Sequence, residues 1–236
     1  MLDGVVVGRW KISCNYYIER LPNVDLEFVN YYRNGDYKMI NLSAKIFAGI
    51  IIGISVSGVA FAGPFGLEKG LSLQSIGGNP QQVAPGKYKV ITVPKPHSAF
   101  DYYILQIGPK SGLCWIKAIG KDSRTSVYGI ELKGSFNDMR AKLQEIYGPS
   151  QTTDALLPGS IWNEPKDWMM ALVKKERVLL SMWDAKSNAS LPSDILSVGL
   201  VAKPQGTEKG YLTLEYSFTN EKECDREIAK KEDSAL

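Results

Sequence analysis

Between Tyr211 and Phe218 apolar and polar side chains alternate without a slip: Leu212, Leu214, Tyr216 and Phe218 fall on one side, Thr213, Glu215 and Ser217 on the other. Such a strand has one dry and one wet face, the signature of an antiparallel sheet covered by helices on one side only. Further β-rich runs lie at 88–93, 102–107, 113–119, 169–173, 178–183 and 195–201. Gly108 to Gly112 reads as a hairpin loop between two of them, and Lys174 to Arg177 as a charged turn between two others. Lys203-Pro204-Gln205-Gly206 is read as a break in the ladder, because proline brings no donor.

The period changes to 3.6 in two places. Phe136, Met139, Leu143 and Ile146 recur at steps of three and four, with Ser135 as the expected cap, Asp138 three positions on, and Gly148-Pro149 as the stop. A shorter helix is expected after Ser72, with Leu73 and Ile76 facing inward. A third runs from Glu221 to about Lys231, capped by Asn220, with Cys224 and Ile228 one turn apart. The class these elements predict is α+β.

A different pattern precedes them. Lys45 is followed by an almost wholly apolar run, Ile46 to Val56, and then by Ser57-Gly58-Val59 and Ala60-Phe61-Ala62. Basic, apolar and small-residue regions in that order predict a secretory signal peptide over 39–62, cleaved between Ala62 and Gly63. The rival is a retained anchor, since Ile46 to Gly63 holds 18 residues without a charge. Residues 1–38 carry neither period and sit awkwardly before a leader. The expectation is that Met39 is the true start: the codons of Gly35-Asp36 can spell a ribosome-binding GGAG, and a precursor mass retaining Met1 would refute it.

Phe65-Gly66-Leu67-Glu68-Lys69-Gly70 is echoed by Tyr128-Gly129-Ile130-Glu131-Leu132-Lys133-Gly134, each followed by a helical segment that closes on glycine and proline. The expected architecture is therefore two helix-plus-antiparallel-sheet repeats packed together, over 63–127 and 128–236. Gly70-Leu71-Ser72, Ile76 and Gly78-Asn79-Pro80 resemble the Gly-Met-Thr … Val … Gly-x-Pro pattern of small bacterial envelope proteins, the SmpA/BamE-like lipoproteins and the tandem-repeat β-lactamase-inhibitor proteins. The resemblance implies an exported helix-plus-sheet module. It departs from the pattern where Leu71 replaces methionine and where the second copy reads Gly134-Ser135-Phe136, and no lipid-bearing cysteine follows the apolar run. It implies no particular partner.

Charge and composition narrow the chemistry. A net charge of +3 over 236 residues gives no concentrated basic face for nucleic acid. With Cys14 ahead of the leader, Cys114 and Cys224 remain, and in an oxidising compartment they either form a disulfide tying the last helix to a strand or stay as two buried thiols. His97 is the one histidine, so a multi-ligand metal site is not expected, and no cofactor motif is present; Gly77-Gly78 lacks the lysine and hydroxyl of a phosphate loop. A hydrolase-type alternative would use His97 with Ser98 or Asp101, or Cys114 as nucleophile, but no partner for either is identifiable from spacing. The favoured reading is a non-enzymatic protein that binds another envelope or secreted protein through an aromatic sheet face, meeting a membrane only if its leader is retained. Trp162, Trp168, Trp115, Trp183, Tyr102 and Tyr103 are the candidate contacts, being the residue types that anchor interfaces, set against ordinary core packing.

Overall fold

Nine antiparallel strands pair into one sheet. The computed structural model describes residues 63–234, which fall within the compact unit Ser57–Leu236. The chain order is α1 (Leu73–Ile76), β1 (Gln81–Ala84), β2 (Lys87–Val90), β3 (Phe100–Gly108), β4 (Gly112–Gly120), β5 (Ser123–Arg124), α2 (Ile130–Tyr147), β6 (Gln151–Leu156), α3 (Trp168–Val173), β7 (Arg177–Trp183), β8 (Ile195–Pro204), β9 (Lys209–Phe218) and α4 (Glu221–Asp233). The strands lie in the order β1-β2-β3-β4-β9-β8-β7-β6, with the two-residue β5 beside the end of β9. The fold is α+β. The preamble at 1–38, the signal peptide at 39–62 with Ala62 of its cleavage site, and Cys14 lie outside the described residues.

The core forms where α2 and α3 lie on one face of the sheet. Tyr103, Leu105, Ile116, Ala118, Leu214, Tyr216, Val198, Leu200, Leu179 and Trp183 line that face, and Leu132, Phe136, Met139, Leu143 and Tyr147 of α2 come down onto it. Phe65 closes one end, its ring set edge-on to Phe100, Tyr103 and Tyr216. The β9 alternation is realised in Leu214, Tyr216 and Phe218, which are buried, while Leu212 is half-buried and Thr213, expected on the wet face, is buried as well.

Several local expectations are corrected. Helix α2 starts five residues before Ser135, which is exposed in mid-helix. The Glu131 carboxylate accepts from the Ser126 amide (2.7 Å) and the Thr125 hydroxyl (3.0 Å), binding the incoming loop to the first turn. These bonds hold the Glu131 carboxyl below its ordinary value. Gly129, at φ +68°, has no room for a side chain because a Cβ there would overlap the Trp168 ring. At the other end Tyr147 is buried and Ile146 is 65% exposed, because the apolar stripe continues from Leu143 by a step of four.

Met169 to Val173 is helical, not a strand. Trp168, Met169, Ala171 and Leu172 are buried at helical spacing, and Pro165 starts the preceding turn. Strand β8 continues through Pro204, which pairs with Gly210, so the ladder runs past the expected break. Asn220 precedes α4, yet its side chain does not cap the helix; Nδ2 donates to the carbonyls of Ser111 and Leu113. The echoed segments share a positive-φ glycine, Gly66 and Gly129, and then differ: Leu67 is extended, whereas Ile130 to Gly134 are helical.

Candidate functional site: the open face of the sheet

Strand alternation that sends ten core side chains towards α2 and α3 sends their neighbours the other way. On β3 these are Tyr102, Ile104 and Gln106; on β4 they are Trp115, Lys117 and Ile119; on β9, Thr213, Glu215 and Ser217. On the far half they are Gly199 and Val201 of β8 and Leu180 and Met182 of β7. Most of these side chains are half-buried, and among the described residues α4 is the helix on this side, lying along the end of the face where Gln106 bonds Asp225 and Glu221 meets Ser217.

The near half is organised around two rings. Lys89 Nζ stands 4.2 Å from the centroid of Tyr102, and Lys87 and Lys117 stand 5.4 and 5.9 Å from that of Trp115. Register explains the meeting: Lys87 pairs with Gln106 and Lys89 with Ile104, so both lysines rise on the face that carries the rings. An ammonium over an aromatic face is attracted by the ring quadrupole. Lys117 is bonded to Glu215 at 2.9 Å, whereas among the described residues Lys87 and Lys89 form no salt bridge. Past Val201 the face deepens into a hollow of about 600 Å³ lined by Val178, Lys203, Tyr211 and the end of α3.

The six aromatic candidates therefore separate. Trp115 and Tyr102 lie on the open face. Trp183, Trp168 and Tyr103 are core residues, and their candidacy as surface contacts is corrected. Trp183 is fully buried and donates from Nε1 to the Gly148 carbonyl, at 3.0 Å. Trp168 lies under Lys133 and Arg177 and points Nε1 at Asp154. Tyr103 packs on Phe65, and burial raises its phenol above the ordinary value. Trp162 is half-buried in the 157–164 loop, its amide bonded to the Ser160 hydroxyl.

Cys114 and Cys224 are joined by a disulfide with Cα atoms 6.3 Å apart, tying α4 to β4 as one of the two readings anticipated. The bond leaves no thiolate for a Cys114 nucleophile. Glu227 strengthens the dock: its carboxylate accepts from the amides of Lys110 and Ser111 and from the Ser111 hydroxyl, which holds it below the ordinary carboxylate value. Gln106 Nε2 donates to Asp225 at 2.6 Å. His97 is exposed, and its Nδ1 accepts from the Ala99 amide rather than meeting Ser98 or Asp101.

Sequence reasoning missed the lysines of this face. Lys87-Tyr88-Lys89 and Trp115-Ile116-Lys117 carry a period-two signal, but lysines on strands read as ordinary solvated positions until register stacks them over the rings. No family model, no curated protein and no solved structure matches the chain.

Proposed function

We propose that this is an exported binding protein, not an enzyme, that holds an acidic patch of another envelope or secreted protein against the open face of its sheet. One observation carries the reading: Trp115 and Tyr102 stand on a sheet face that α2 and α3 do not cover, Trp115 with Lys87 and Lys117 over its ring and Tyr102 with Lys89. Aromatic side chains at the centre of a patch, ringed by cations, suit a partner that brings carboxylates to Lys87 and Lys89 and apolar surface to the rings. Export is supported by the leader-like pattern at 39–62 and by a disulfide, which persists in oxidising compartments. A tandem origin is part of the same proposal: α1 precedes β1–β4 and α2 precedes β6–β9, with β5 and α3 as additions, and the sheet order sets β4 of the first half against β9 of the second.

Photo-crosslinking in cells tests the binding surface. A benzophenone side chain at Ile119, on the open face, is expected to trap a discrete partner, whereas one at Ser135, on the exposed side of α2, traps none. Equal adducts from both positions, or none from Ile119, would remove the proposal. The N-terminal mass of the product tests export: a soluble protein beginning at Gly63 supports cleavage, and one retaining residues 39–62 is the membrane-tethered alternative.

A further inference from the structure

The two edges of the sheet are built differently. Strand β1 is short, is flanked by Pro80 and Pro85, and carries a register shift between Gln82 and Ala84. These are devices that stop an edge from pairing. Strand β6 is longer and has no register shift, and its nearest prolines, Pro149 and Pro158, stand two positions clear of its ends. Its six residues pair in unbroken register with β7, it contains no proline, lysine or bulge, and every residue except Leu156 is exposed.

Which backbone groups are free follows from one bond. The Leu157 amide donates to the Glu176 carbonyl, towards β7. Alternation then turns the amides and carbonyls of Thr152, Asp154 and Leu156 away from β7, to the open edge. The side chains on this strand are already fixed. Thr152 bonds Ser181 and Arg140, and Asp154 bonds Arg177 and Trp168, all on the helix side, so Thr153 stands on the open-face side.

We infer that β6 pairs antiparallel with β6 of a second copy about a two-fold axis through Thr153. Two registers centred on the middle of the strand would align the free groups. One sets Asp154 opposite Asp154 of the second copy, a like-charge pair that is unfavourable. The other sets Thr153 against itself and Thr152 against Asp154 of the second copy, with no like charges opposed. The ends of the edge also match under that operation. Leu157, 57% exposed, falls opposite the exposed Pro149 of the second copy, and Pro149 opposite the second copy's Leu157, so apolar surface meets apolar surface at both ends. Because β1 is blunted, the association closes as a dimer and does not extend into a filament. It joins two sheets edge to edge and places two open faces side by side.

The purified full chain is tested by sedimentation over a range of concentrations, alongside three variants. The wild type is expected to be a dimer, and Thr153→Lys, which opposes two ammoniums on the axis, to weaken it at least about tenfold. Thr153→Cys should form a covalent dimer under mild oxidation, since facing residues of such a pair have Cα atoms about 4.5 Å apart. Gln151→Cys should not, because its twin would lie about 13 Å along the strands. Thr153 is exposed and, among the described residues, bonds no neighbour through its side chain, so circular dichroism should be unchanged. A monomer at every concentration overturns the inference, and so does a dimer indifferent to Thr153→Lys or one in which Gln151→Cys cross-links as readily as Thr153→Cys.

Discussion

Trp183 and Trp115 belong to the same sheet and to opposite solutions of the same problem. Trp183 faces α2, is fully buried, and satisfies its one donor on the Gly148 carbonyl. Trp115 faces away from α2, is half-buried, and is flanked by two lysines instead of by core side chains. The covered face shows what the strands need for stability. The open face shows apolar area that stability does not account for, since a sheet with one wet side is served well enough by threonine, serine and charge.

That contrast is tested first where the effect is largest. Trp183→Ala should destabilise the fold by about 3–5 kcal/mol through the cavity it leaves, whereas Trp115→Ala should cost no more than about 1.5 kcal/mol. Urea unfolding of the two variants gives the ratio, and equal losses would mean that both tryptophans are structural. Next comes the disulfide. Cys224 is the one fully buried side chain of α4, so replacing both cysteines by alanine should cost about 2–4 kcal/mol and raise hydrogen exchange along α4 while leaving α2 protected.

A smaller effect depends on pH. Glu227 is held below its ordinary value, so its contribution to docking α4 is complete above the unfolded carboxylate pKa of about 4.3 and is lost as pH falls through the lower folded value. Exchange rates in α4 should rise over that acid range in the wild type, and Glu227→Gln should flatten the dependence. Smallest of all is Lys117→Ala. It removes a surface pair to Glu215 and a cation above Trp115, and should change the unfolding free energy by no more than about 1 kcal/mol.

Much of this fold was legible in the sequence because its period-two and period-four patterns are strong. The alternation in β9, the Gly108–Gly112 hairpin and the stripe from Phe136 to Leu143 each specify their own burial. The misses have local causes. Strands β1 and β6 are polar edges with little apolar pattern, so nothing in Gln81–Ala84 or Gln151–Leu156 distinguishes them from loop. Helix α3 is too short for periodicity to separate it from a strand. The start of α2 depends on Glu131 reaching back to Ser126, a bond that hides behind the stronger-looking Ser135. The candidate site was half legible: aromatic residues could be named, but which of them face outward depends on register, which put Tyr102 outside and its neighbour Tyr103 inside.

The most direct test of the open face is the affinity of the protein trapped at Ile119 for the double variant Tyr102→Ala, Trp115→Ala, measured beside its unfolding midpoint. The account predicts binding weakened at least about tenfold, the loss of two aromatic anchors, with the denaturant midpoint lowered only slightly. Undiminished binding by a folded double variant would contradict it.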